Sequence, residues 1–104
     1  MPNFAANITT MFGELAFADR IDAAASCGFR AVECQLPYDT EAEEVAGRLD
    51  AAGVELVLLN APPGDLAAGD RGLGAVEGRD EEFAASIEQA ASYAVATGCP
   101  RVHV

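Results

Sequence analysis

The 104-residue sequence predicts an α/β fold, a parallel sheet whose strands alternate with helices in the order β-α-β-α-β-loop-α-β. Three observations carry that prediction. Three segments share one plan: AAASCGFRAVECQ, RLDAAGVELVLLN and YAVATGCPRVHV each run from an Ala-rich helical tail through a Gly into an apolar run. Gly28, Gly53 and Gly98 stand where a helix ends in the left-handed conformation that Gly adopts at little cost. The runs AVECQL, ELVLLN and RVHV are short and apolar, as strands buried on both faces are. Strands separated by helices pair in parallel through right-handed crossovers.

The elements follow in order. The opening strand lies in NFAANIT, and the first helix covers Phe17 to Cys27, ending at Gly28 before the strand AVECQL. Thr40-Glu41-Ala42-Glu43 has the spacing of a capping box, with Thr40 as N-cap and Glu43 reaching back. The second helix ends at Gly53 and feeds ELVLLN. Asp80-Glu81-Glu82 place acid at the positive end of the third helix, which ends before Gly98. RVHV then opens a fourth strand, and a chain that stops there reads as an incomplete domain. From Gly28 to Gly53 is 25 residues and from Gly53 to Gly98 is 45; the excess matches the stretch NAPPGDLAAGDRGLGAVEGRDEEF, residues 60–83. This insertion follows the C-terminal end of a strand, where α/β folds keep their ligand sites. Long loops in compact domains are usually functional.

Composition bounds the function. With 51% hydrophobic and 22% charged residues, the chain is one small globular domain. Six basic against seventeen acidic residues give a net charge of -11. That field repels phosphate backbones and anionic bilayers, so neither nucleic acid nor a membrane is expected as a partner. Cys27, Cys34 and Cys99 are odd in number and form no C-x-x-C pair, which points to reduced thiols and a cytoplasmic protein. The N-terminus has neither the basic region nor the apolar stretch of a secretion signal.

Alternation along the strands puts Asn7 on a face with Ala5, Glu33 with Gln35, and Asn60 with Leu58 and Leu56. Asn7, Glu33 and Asn60 fall near strand C-termini, where they would gather at one mouth of a parallel sheet. Each Asn has a structural alternative, capping a turn. A carboxylate in an apolar strand needs a partner, so the alternative for Glu33 is an ion pair with a neighbouring Arg. In the loop, Asp65, Asp70, Arg71 and Arg79 are the charged candidates. Arg71 either clamps a substrate oxygen or staples the loop to Asp70. Gly64, Gly69, Gly72, Gly74 and Gly78 allow tight turns; Gly72-Leu73-Gly74 follows no strand directly and makes no dinucleotide fingerprint. His103, the one histidine, cannot form a metal site alone and reads as a core residue; Tyr38 reads as packing at the rim.

FAANITTMFGEL, GFRAVECQLPYD, LLNAPPGDLAAGDRGL, VEGRDEEF and YAVATGCPRVHV together closely resemble the N-terminal part of the hydroxypyruvate isomerase family, xylose isomerase-like TIM barrels that include 2-oxo-tetronate isomerases. The most specific element is the N-x-x-P-G-D-x-x-A-G-x-x-G-L loop followed by Glu77-Gly78-Arg79-Asp80. Glu33-Cys-Gln-Leu-Pro-Tyr38 stands where the family has an aromatic-rich segment, Leu66 where an aromatic is common, and Gly69-Asp70 where Gly-Glu is common. The resemblance implies a partial (β/α)8 TIM barrel with about four parallel strands and three helices, residues 1–104 forming its N-terminal part, truncated within or just after the fourth strand. A complete barrel takes about 250 residues.

The implied activity is that of an intramolecular oxidoreductase, an aldose–ketose isomerase converting hydroxypyruvate to 2-hydroxy-3-oxopropanoate, or a 2-oxo-tetronate in the alternative. The implied substrate is a small 2-oxo or hydroxy sugar acid. The family's Mg²⁺ or Mn²⁺ ligands and its two catalytic carboxylates lie on later strands. The resemblance therefore assigns no metal ligand and no catalytic residue here, and the chain alone is expected to be inactive. What it assigns is a substrate-side wall of Asn7, Glu33, Asn60, Asp65 and Arg71. A rival expectation is a non-enzymatic half-barrel that self-associates into a homo-oligomer.

Overall fold

The structure, a computed structural model, describes residues 2–104. Its elements are β1 (Ala5–Asn7), α1 (Asp19–Ser26), β2 (Ala31–Glu33), α2 (Ala42–Ala52), β3 (Glu55–Asn60), a 3-10 turn (Leu66–Ala68), α3 (Asp80–Thr97) and β4 (Val102–His103). The four strands form one sheet in the order β1-β2-β3-β4, every neighbouring pair parallel. The helices pack on one face of this sheet, and α2 lies between α1 and α3.

The helix ends behave as their glycines require. Gly53 and Gly98 close α2 and α3 in the left-handed region at φ 67° and 72°, and Gly28 turns the chain out of α1 at φ 93°. Other boundaries differ from the sequence-based expectation. The first helix starts at Asp19 rather than Phe17, because Ala16–Ala18 form a turn in which Asp19 N–H bonds the Ala16 carbonyl. The Thr40 capping box does not form. Glu41 is the residue flanking α2, and no side chain caps it. Thr40 is held one step early, its N–H on the Pro37 carbonyl at 3.0 Å and its own carbonyl accepting the Tyr93 hydroxyl at 2.8 Å.

The core lies between helices and sheet. Ala6 and Ile8 of the first strand region, Val32 and Cys34 of the second, and Leu56 and Leu59 of the third are buried against Ile21, Ala24, Val45, Leu49 and Ala90 of the helices. The opposite sheet face is only partly covered, so the strands are not buried on both faces as their composition suggested: Asn7, Glu33, Leu58 and Asn60 are all half-buried.

A bulge refines the alternation of β3. Val32 pairs with Leu56 but Glu33 pairs with Leu58, leaving Val57 as an extra residue. Leu56 and Leu59 therefore both face the helices, three positions apart. The expectation that Leu56 shares a face with Asn60 is corrected by this slip, while Leu58 and Asn60 do share one.

Candidate functional site

The C-terminal ends of all four strands converge. Asn7 is the register partner of Glu33, Glu33 of Leu58, and Asn60 of His103. Irregular bonds carry the ladder past the strand ends: Ile8 N–H to the Glu33 carbonyl at 2.9 Å, Asn60 N–H to the Gln35 carbonyl at 3.0 Å, and Ala61 N–H to the His103 carbonyl at 2.8 Å. Gln35 N–H donates to Thr9 Oγ1 at 2.7 Å, tying the first two strand tops together. On this frame a cavity of about 250 Å³ is lined by Asn7, Glu33, Cys34, Gln35, Leu58, Asn60 and His103.

Most polar side chains of this mouth are uncommitted. Asn7 does the capping work expected of a turn Asn, its Oδ1 accepting from Thr9 N–H at 3.0 Å, which leaves the amide Nδ2 free to donate. Among the described residues, the side chains of Glu33, Gln35, Asn60 and His103 have no hydrogen-bond or ion-pair partner. The ion pair considered for Glu33 is thus not made. The arginines that form ion pairs do so elsewhere, Arg48 with Asp19 and Asp22, and Arg79 with Asp70 and Glu82. Tyr38 does more than pack at the rim: its hydroxyl donates to the Asn60 carbonyl and its ring meets Tyr93 edge-on at 5.4 Å. Burial pushes the Tyr38 hydroxyl up to about 12, so it stays a donor through the neutral range.

The loop after β3 brings its two predicted site residues to different places. Arg71 lines a second cavity of about 590 Å³ that shares Asn60 and His103 with the first. It also staples the loop, although to backbone carbonyls, Leu66 at 3.2 Å and Asp70 at 2.7 Å, and not to the Asp70 carboxylate. Asp65 lines neither cavity; its carboxylate caps the 3-10 turn, accepting from Ala67 and Ala68 N–H at 3.0 and 3.2 Å. The Asp70 carboxylate faces Arg79 in a two-pronged pair at 2.6 and 2.9 Å, which holds it well below the usual carboxylate range.

His103 is the residue sequence reasoning placed wrongly. It is exposed and lines both cavities rather than sitting in the core. The repeat contained the signal: Glu33 stands five residues after Gly28, and His103 five after Gly98.

Mg²⁺ and Mn²⁺ ask for near-octahedral sets of oxygen or imidazole ligands. Among the described residues no three His, Cys, Asp or Glu side chains gather in one place, so this chain's donors do not by themselves fit such an ion. No described helix is long and apolar enough to cross a membrane.

Residues 21–104 match the xylose isomerase-like TIM barrel family. The 2-oxo-tetronate isomerase of Cupriavidus necator is 52% identical over all of this chain and 40% of its own length; the hydroxypyruvate isomerase of Escherichia coli is 43% identical over 99% and 40%. Among solved structures, that of an AP endonuclease, family 2, from Brucella melitensis superposes with a TM-score of 0.97 at 45% identity, covering 100% of this chain and 40% of that one. The chain thus spans about 40% of the length of these relatives. The match spans most of the parallel sheet and its helices, and the chain belongs to the xylose isomerase-like TIM barrel family.

Proposed function

We propose that this chain supplies the substrate-binding wall of an isomerase for short 2-oxo or hydroxy sugar acids, hydroxypyruvate or a 2-oxo-tetronate. The observation that carries the reading is the single cavity onto which four consecutive strand ends project Asn7, Glu33, Asn60 and His103, with all but the Asn7 oxygen unspent on internal bonds. Glu33 and Asn60 are half-buried and His103 exposed, so a ligand entering the cavity can take up their free polar groups without breaking an internal bond. The names of the relatives, 2-oxo-tetronate isomerase and hydroxypyruvate isomerase, support the same substrate class.

Such an isomerisation removes a proton from the carbon beside the carbonyl and returns one to the neighbouring carbon through an enediol. The hydroxyl and carbonyl oxygens exchange roles, with no net oxidation. In this wall the Asn7 and Asn60 amides donate to the carbonyl or enediol oxygen, and Glu33 accepts from a substrate hydroxyl. Residues of this chain orient the substrate; proton transfer at carbon and any divalent cation belong to parts of the enzyme outside it. The charge of -11 supports a small metabolite over a nucleic-acid backbone.

The test is an assay of the enzyme encoded in frame with this chain, with hydroxypyruvate and a 2-oxo-tetronate, following the aldose and ketose forms by NMR. Turnover of either, reduced in Glu33→Gln with an unchanged melting temperature, is expected. Failure to turn over both compounds with Mg²⁺ or Mn²⁺ present would overturn the reading.

A further inference from the structure

The loop after β3 roofs the larger cavity, whose walls include Leu73, Val76 and Phe83. Arg71 is the one Arg or Lys lining either cavity. Its Nη1 is fixed by the Leu66 and Asp70 carbonyls, while Nη2 and Nε have no partner among the described residues. The adjacent Asp70 carboxylate makes no hydrogen bond or ion pair with it. Both Asp70 oxygens are held by Arg79, and Oδ2 also accepts the Asp65 N–H at 2.7 Å. Glu82 occupies the rest of Arg79, at 2.6 and 3.0 Å. Asp70 and Glu82 are thus collected by Arg79, and Arg71 makes no ion pair among the described residues and keeps its charge for the cavity. In a chain of net charge -11, with Glu33 in the adjoining mouth, a ligand carboxylate is repelled except where a local cation faces it.

We infer that Arg71 anchors the carboxylate of the ligand and makes the site select sugar acids over neutral sugars of the same length, and that Arg79 is a positioning residue that keeps Asp70 off Arg71. A carboxylate held at Nη2 and Nε leaves the oxygen-bearing carbons of the ligand toward Asn60 and His103, which the two cavities share. This inference rests on the reading of the mouth as a sugar-acid site and adds the group that recognises the acid.

The experiment titrates the isotope-labelled enzyme encoded in frame with this chain, without added metal, by NMR with hydroxypyruvate and with uncharged dihydroxyacetone, in the wild type and in Arg71→Gln, Arg71→Lys and Arg79→Gln. Amide dispersion and the melting temperature report folding in each variant. The wild type should prefer the acid by on the order of 10- to 100-fold, the worth of a charge-assisted hydrogen bond. Arg71→Gln should lose that preference while binding dihydroxyacetone as before, and Arg71→Lys should keep part of it. Arg79→Gln should weaken acid binding alone, because the freed Asp70 turns onto Arg71. Equal affinity for both compounds in the wild type, or equal loss of both in Arg71→Gln, overturns the anchor. An unchanged preference in Arg79→Gln overturns the positioning role. Shifts absent at Asn7, Asn60 and His103 with either compound overturn the reading of the mouth itself.

Discussion

Gly64→Ala should unlatch the loop between β3 and α3 while leaving the sheet folded. Gly64 sits at φ +93°, and a Cβ built there meets Asp70 Oδ2 at 2.3 Å and Asp70 Cβ and Cγ at 2.9 Å. The left-handed conformation costs a side-chain-bearing residue about 1–2 kcal/mol. Asp70 cannot turn aside cheaply, since Arg79 and the Asp65 N–H hold both of its oxygens. Giving up one such charge-assisted bond costs about 1.5–3 kcal/mol more. The total, about 2.5–5 kcal/mol, is felt only until the loop undocks, after which the strain is gone and the core keeps its contacts. At about 1.4 kcal/mol per tenfold, protection against hydrogen exchange at the Asp65, Asp70 and Gly72 amides should fall by at least about 60-fold. Those amides bond Asp70 Oδ2, the Asp65 carbonyl and the Pro63 carbonyl. Core amides such as Val54, bonded to the Leu49 carbonyl, should keep theirs. Wild-type protection at Asp65 and Gly72 in the variant would refute the reasoning.

Other predictions concern core, charge and thiols. Leu59→Ala removes a fully buried side chain from the centre of the sheet and should cost about 2–5 kcal/mol in urea unfolding. The Arg79 guanidinium and the Asp65 N–H hold Asp70 down at about 2 against an ordinary 3.8. The sign follows: the latch is fully present above the ordinary value and is lost as pH falls through about 2, so Asp65 and Gly72 protection should drop between pH 4 and 2 ahead of the core amides. Burial pushes the Cys34 thiol up to about 12 and also raises Cys99, while Cys27 is exposed. Iodoacetamide at pH 8 should therefore modify the folded chain at Cys27 alone, by mass spectrometry, and all three cysteines in denaturant.

Much of the candidate site was legible because parallel α/β units place polar residues at a repeating position. A glycine that ends a helix sets where the next strand starts, and strand length then decides which residue reaches the mouth; Glu33 and Asn60 follow from that arithmetic, and Asn7 from the end of the opening strand. His103 obeys the same offset from Gly98, but a lone imidazole in an apolar run reads as core until its neighbours are known. The Thr40 capping box failed because capping motifs are local, whereas the Tyr93 hydroxyl that helps hold Thr40 comes from a helix 53 residues on.

The sequence alone determined the order of elements, their parallel pairing and the family, since these depend on periodicity, glycine stops and a loop motif, all local along the chain. Tertiary structure decided which charges meet. Two arginines and six acids, Asp65, Asp70, Glu77, Asp80, Glu81 and Glu82, lie within one short stretch. Only the folded loop shows that Arg79 takes Asp70 and Glu82, that Asp65 caps a turn, and that Arg71 faces the cavity. Salt-bridge partners are chosen by through-space geometry at distances of a few ångströms, and spacing along a glycine-rich chain constrains that geometry too weakly to select among them.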